Sequence, residues 1–146
     1  MKYAFIILAL ITMLFSCAKD EDEYFDKLGA LTTGTWKLTA YSIDYDLDGV
    51  YEVDVFAIYE YCDKDNFYTF LSDSTVILDE GADKCYPGNP QTTTSTWSFL
   101  EDQTQLQFEG VNYQIAELSA ANLHLTAKVP WNWINHYDMT RTYTKQ

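Results

Sequence analysis

From Gly34 to Lys145 apolar and polar residues alternate with a period of two, in short runs rich in Thr, Tyr, Val and Ile. Strict alternation places successive side chains on opposite faces of an extended chain, so each run reads as a strand with one buried face. Eight strands are predicted: Gly34–Ile43, Asn66–Leu71, Thr75–Glu80, Thr93–Leu100, Gln105–Glu109, Val111–Leu118, Asn122–Val129 and His136–Lys145. Helical periodicity is nearly absent; only Glu23–Leu31 suggests a short helical piece. Most connections are short, which makes consecutive strands antiparallel neighbours. A meander of eight leaves two bare edges unless it closes. The expected fold is therefore all-β, an eight-stranded antiparallel up-and-down barrel whose interior is filled by side chains or holds one small ligand.

Alternation also assigns the inward face. It comprises Trp36, Leu38 and Ala40; Phe67 and Leu71; Val76 and Leu78; Trp97 and Phe99; Leu106 and Phe108; Tyr113 and Ile115; Leu123, Leu125 and Ala127; and Met139, Arg141 and Tyr143. In such a barrel successive turns alternate between the two ends. Call the end where the first strand begins closed. The open end then carries Asp44–Asp65, Gly81–Thr92, Gly110 and Pro130–Asn135, three of them long loops, while the closed-end turns are all short. Long loops gathered at one end of a rigid scaffold are where function is expected.

The amino terminus has a separate purpose. Met1-Lys2 is basic, and Ala4–Phe15 is an almost unbroken apolar run. That run is short for a spanning helix and has the form of a signal-peptide core. Leu14-Phe15-Ser16-Cys17 resembles the lipobox of bacterial lipoproteins, which implies cleavage before Cys17 and acylation of that cysteine; a plain signal anchor is the alternative. Residues 1–16 are then a signal peptide, 17–27 an acidic tether and 28–146 the folded domain. Cleavage leaves about 130 residues, enough for one core. Acyl chains on Cys17 supply the buried CH₂ groups that stable attachment needs. The following "AKDEDE" resembles the export signal of surface lipoproteins, and it also reads as a solvated, like-charged tether. The expected location is the outer membrane, at the cell surface, with the lipid as the only membrane contact.

With 9 basic and 22 acidic residues the chain carries a net charge of −13, and the leader would take one of its lysines with it. Such a surface repels phosphate backbones, so nucleic acid is not an expected partner. Apart from Cys17, the cysteines are Cys62 and Cys85, which allow one pairing. A disulfide persists outside the cytoplasm. The loop it closes spans 23 residues, worth about 3 kcal/mol in the chain-entropy model. A metal site is the other reading, and no CxxC or HxxxH spacing accompanies these thiols.

Gly34-Thr35-Trp36 at the head of the first strand, after a short helical turn, resembles the G-x-W signature of the lipocalins. Arg141 in the last strand resembles the basic residue that covers that tryptophan. Together with "YCDKDNFYTF", "LDEGADKC" and the terminal "YTKQ", the pattern from Leu28 onward resembles the lipocalin-like domains of bacterial lipoproteins. The resemblance implies a floor sealed by a guanidinium stacked on the Trp36 indole. It also implies a small hydrophobic or ring-containing ligand at the open end.

The rim is rich in aromatic residues. Trp131 and Trp133 alternate across Asn132 and lie in the same end loops as Tyr59, Tyr61, Tyr86 and Tyr137. They read either as a stacking surface for a ligand or as a cap packed on Phe56 and Ile58. Asp44, Asp46, Asp48 and Gly49 give D-x-D-x-D-G, the first half of a calcium loop. Its twelfth position is Val55, and Glu52 or Asp54 would serve only in a different loop geometry, so the alternative is a polar turn and no metal is assigned. Asp63 and Asp65 suit Asx turns. His124 alternates with Leu123 and Leu125 and should face outward. His136 lies near Tyr137 and Asp138 with no nucleophile motif, so no catalytic role and no cofactor are expected. The sequence reading is a monomeric, lipid-anchored cup that binds a small molecule. The alternative is a protein-interaction module with a filled barrel, acting through its rim.

Overall fold

A computed structural model describes residues 25–130 and 135–146. Cys17, the leader and most of the tether lie outside the described residues, as do Trp131 and Trp133. The elements run α1 (Lys27–Thr32), β1 (Trp36–Asp44), β2 (Val53–Asp54), α2 (Val55–Ile58), a 3₁₀ turn (Tyr61–Asp63), β3 (Phe67–Phe70), β4 (Thr75–Asp79), β5 (Thr92–Leu100), β6 (Gln105–Phe108), β7 (Val111–Leu118), β8 (Asn122–Pro130) and β9 (His136–Lys145). Strands β3 to β9 pair in sequence order, β3 also pairs with β1, and β9 returns to β1, all antiparallel. Eight strands thus close an up-and-down barrel. β2 is a two-residue tab hydrogen-bonded to the upper end of β1. It and α2 sit inside the long first rim loop, where no regular element was predicted.

Inward residues converge on one core. Trp36, Phe70, Leu106, Tyr113, Leu123 and Leu125 are all fully buried. Two inward assignments are corrected. On β1 the register slips between Leu38 and Ala40. This bulge inserts one residue and flips the parity above it, so Ala40 is exposed while Tyr41 and Ile43 are buried. On β3 the inward pair is Tyr68 and Phe70 rather than Phe67 and Leu71. Both parities are apolar or aromatic there, so alternation alone could not choose. Phe67 instead lies outside, beneath the Lys37 ammonium at 5.6 Å.

The closed end is built from α1, Trp36 and the chain terminus. Asp26 caps α1 by accepting from the Gly29 N–H. Leu31 is fully buried, and its carbonyl accepts the Trp36 indole N–H at 2.8 Å. Gly34 has φ +79°, a left-handed conformation that disfavours any side chain, which accounts for the glycine two residues before the tryptophan. The expected cover of Trp36 is corrected. Arg141 pairs with Tyr41, well up the barrel, whereas Lys145 is the cross-strand partner of Trp36. The Lys145 ammonium stands 4.7 Å from the indole centroid and donates to the Ala30 carbonyl at 2.7 Å. Burial pushes it below the ordinary lysine value. Lys145 therefore ties helix, indole and last strand into one floor. Lys145→Met is expected to lower stability by about 1–2 kcal/mol through loss of the cation–π contact and that hydrogen bond, measured as a lower urea midpoint with unchanged slope.

Candidate functional site

Above the floor the barrel changes character. Its lower half is packed by Trp36, Phe70, Trp97, Leu106 and Phe108. Its upper half carries tyrosines around a charge pair. Arg141 projects inward from β9 between Met139 and Tyr143, two buried neighbours of the same parity. Its guanidinium lies over the Tyr41 ring at 4.7 Å and near the Tyr113 ring at 5.7 Å. One terminal nitrogen donates to Glu109 Oε2 at 2.7 Å and to the Tyr143 hydroxyl at 3.5 Å. The Tyr68 hydroxyl donates to the other Glu109 oxygen at 3.0 Å.

Glu109 comes from the β6–β7 turn. It has φ +51° and is followed by Gly110 at +75°, the two positive values of a tight hairpin turn. The turn lets its carboxylate reach the mouth of the barrel, where the side chain keeps 33% of its surface exposed against 15% for Arg141. Two donors in this cluster have no acceptor among the described residues: the Arg141 Nε–H and the hydroxyl of fully buried Tyr113. Burial works against the Arg141 charge, but Tyr143, Tyr113 and Glu109 outweigh it and hold the guanidinium above its ordinary pKa. Burial also pushes Tyr68, Tyr113 and Tyr143 well above the ordinary tyrosine value, although Arg141 pulls each of them down. At neutral pH the cluster therefore holds one cation, one anion and a set of neutral hydroxyl donors.

A cavity of about 310 Å³ opens beside this cluster, lined by Leu38, Tyr59, Asp63, Asn66, Tyr68 and Leu78. It is at the small end of ligand cavities, which run about 300–1,000 Å³. Leu38, Tyr68 and Leu78 are inward strand positions, and Tyr59 closes the top from the first rim loop. Tyr59 also packs edge-on against Tyr41 at 6.0 Å, and Tyr68 against Tyr143 at 5.5 Å. Two of the cavity's walls are thus rings of the polar cluster. Asn66 Oδ1 is buried and has no hydrogen-bond partner among the described residues. A larger hollow of about 540 Å³ flanks the disulfide, lined by loop residues from Tyr61 to Pro87, but it is open on the surface. The smaller cavity, where Leu38 and Leu78 meet Tyr59, Tyr68, Asp63 and Asn66, combines apolar and polar groups as a small-molecule site does.

A family model described as a lipocalin-like domain matches residues 32–125. The chain belongs to the lipocalin-like domain family. Comparison with curated proteins gives no match. The matched stretch runs from the end of α1 into β8, so β9 of this lipocalin-like barrel, with Arg141 and Lys145, lies beyond it.

Among the described residues, the rim aromatics do not form one cluster. Tyr59 folds over the cavity and packs on Phe56 at 6.3 Å. Tyr137 packs on Tyr45 at 5.7 Å. Tyr61 and Tyr86 are 67% and 68% exposed and stand away from the barrel interior. Cys62 and Cys85 are joined by a disulfide, with Cα atoms 5.2 Å apart, so the first and second long rim loops are stapled together. Gly81, at φ +66°, backs onto the Asp65 carbonyl at 2.5 Å from where a Cβ would sit, so these loops also need a glycine to approach. Asp65 accepts from the Ala82 and Asp83 N–H groups across the same contact. That is a bridge between loops rather than the local turn expected. His124 faces outward as expected, its ring touching Thr140.

Asp44, Asp46, Asp48 and Glu52 do come together, with one oxygen from each within 4.8 Å of the others. Asp44, 1% exposed, accepts from the Leu47 and Gly49 N–H groups. Asp46 and Asp48 accept from the N–H two residues onward. These bonds account for the acidic residues as the scaffold of a tight polar loop.

Sequence reasoning missed Glu109 and Tyr41 as partners of Arg141, and Tyr68 as the second partner of Glu109. The available signal was Arg141 itself: a cation on an inward parity requires a counter-ion nearby.

The three deeply buried tyrosines have folded-state values raised above the unfolded value of about 10. Their contribution is intact below about pH 10 and is lost as pH rises beyond it, because only the unfolded chain releases those protons. Stability is expected to fall above about pH 10 by about 1.4 kcal/mol per pH unit for each such tyrosine. Phenolate absorbance should show these rings titrating only as the barrel unfolds.

Proposed function

We propose that this protein is a non-enzymatic binder of a small amphipathic molecule, held in the mouth of the barrel between Leu38, Leu78, Tyr59 and Tyr68. The observation that carries the reading is the 310 Å³ cavity, in which Leu38 and Leu78 meet Tyr59, Tyr68, Asp63 and Asn66, so that apolar and polar groups share one wall. Membership in the lipocalin-like family supports small hydrophobic ligands in general. The filled lower half limits the depth, so the ligand is short and sits high, with its far end near the rim loops. The disulfide between those loops favours the same use, since it holds the loops over a preformed site and reduces the ordering that binding would require. An uncharged reporter such as N-phenyl-1-naphthylamine is expected to bind saturably with a rise in fluorescence. Leu78→Trp, which fills the cavity, should abolish that rise without lowering the melting temperature. Retained binding in that variant would reject the site.

The second part of the proposal is location. The lipobox-like Leu14–Cys17 and the acidic run after it support a lipid-anchored protein of the outer membrane, displayed at the cell surface as a monomer. The tether joins the barrel at α1, the closed end, so the mouth would face away from the membrane. Labelled palmitate is expected to enter the full-length chain in a bacterial host and to be lost, with membrane partitioning, in Cys17→Ala. Incorporation that survives Cys17→Ala would reject the anchor.

A further inference from the structure

We infer that the ligand carries an anionic head, a carboxylate or a phosphate, which binds Arg141 by displacing Glu109. This inference rests on the binding reading above and extends it to the chemistry of the ligand.

Among the described residues the Arg141 cluster holds two donors without an acceptor, while the unpaired acceptor Asn66 Oδ1 lies apart from it, on the cavity wall with Asp63. A guanidinium offers five N–H donors. Here one terminal nitrogen serves Glu109 and Tyr143, and the Nε–H has no acceptor among the described residues. The buried Tyr113 hydroxyl also has no partner among the described residues. Leaving such groups unpaired in a low-dielectric interior is costly, most of all for a charged group. A site with surplus donors is matched by a group with surplus lone pairs, and carboxylates and phosphates have the most. Arginine also recognises both in bidentate fashion, which a single contact to Glu109 does not use.

Glu109 has the features of a replaceable counter-ion. It stands on a two-residue turn at the mouth rather than on a strand, and it is the more exposed member of the pair. Its second oxygen is held by Tyr68, which is also a wall of the cavity. Tyr68 is the link: it lines the cavity together with Asp63 and Asn66 and donates to Glu109, so a head group that replaces Glu109 at the Tyr68 hydroxyl comes next to Arg141. When Glu109 turns outward it regains water, and the incoming anion keeps the guanidinium neutralised. The protein thus carries an internal competitor that sets a threshold for binding. Neutral amphiphiles can fill the cavity but gain nothing from Arg141.

Full-length protein would be titrated calorimetrically with octanoate, octyl phosphate and 1-octanol, which share a tail and differ in the head. At least one anion is expected to bind about ten-fold more tightly than the alcohol, and the tighter anion identifies the head. Glu109→Gln should tighten that anion by about ten-fold, with a smaller change for 1-octanol. Arg141→Met should erase the preference for the anion over the alcohol. The glutamine variant removes the charge but keeps a side-chain oxygen for Arg141 and Tyr68, and with its melting temperature measured alongside it remains informative if the methionine variant does not fold. Equal affinity for all three probes, or weaker anion binding in Glu109→Gln, overturns the inference while leaving the cavity reading intact. No binding of any probe overturns both.

Discussion

Closure of the sheet, β9 against β1, is the constraint on which the rest of the structure depends. The two strands pair along nearly their whole length, from Trp36 opposite Lys145 to Asp44 opposite Asp138. That register brings Lys145 to the indole at the floor and Arg141 level with Tyr41 higher up. It also removes both edges of the meander, so the inner face becomes a single enclosed volume. A shift of one residue would turn Met139, Arg141 and Tyr143 outward together. The bulge at Thr39 lets β1 keep this register while changing which of its residues point inward.

Closure has a second consequence: the end at Trp36 is packed by side chains and α1, and the opposite end is finished by loops. The floor is solved with one indole, one helix and one ammonium. The mouth is solved with a charge pair, which is a more demanding arrangement. Removing a guanidinium from water is costly unless it is paired and hydrogen-bonded. Arg141 meets that requirement through Glu109, Tyr143 and two aromatic faces. Its position near the mouth, rather than beside Trp36, keeps Glu109 in contact with solvent and makes the pair tolerable. An apolar residue at position 141 would pack the same space with fewer conditions, which is why a functional role for the charge is the stronger account of its presence.

The fold was legible because period-two alternation and short turns leave few alternatives, and all eight predicted strands are present within a few residues of their predicted ends. The failures have specific physical causes. Alternation placed Ala40 inward because a bulge cannot be seen in a run such as Lys37–Tyr41, where every second residue remains plausible either way. It could not decide β3, since Phe67, Tyr68 and Phe70 suit either face. The basic cover of Trp36 was assigned to Arg141 by family resemblance, whereas the cross-strand register selects Lys145, four residues later and on the same parity. Glu109 was hidden for a different reason. By parity it follows inward Phe108 and should point outward, and only the positive φ of its turn brings the carboxylate back over the mouth. The disulfide was legible from cysteine count alone. Its role in joining two rim loops required the barrel that places those loops at one end.

The charge distribution then acquires a direction. The chain as a whole is strongly acidic, with a net charge of −13, yet the mouth presents a guanidinium held by a single exposed carboxylate. At physiological ionic strength surface charges act over about 8 Å, so the acidic exterior slows the approach of an anion without cancelling a contact-range interaction inside the cup. Raising salt would screen that exterior repulsion more than the partly buried pair at the mouth. A guanidinium set inside an acidic surface selects by contact rather than by attraction from afar. For the ligand proposed above, the apolar tail then supplies the affinity for entry and the head group the discrimination once it reaches Arg141.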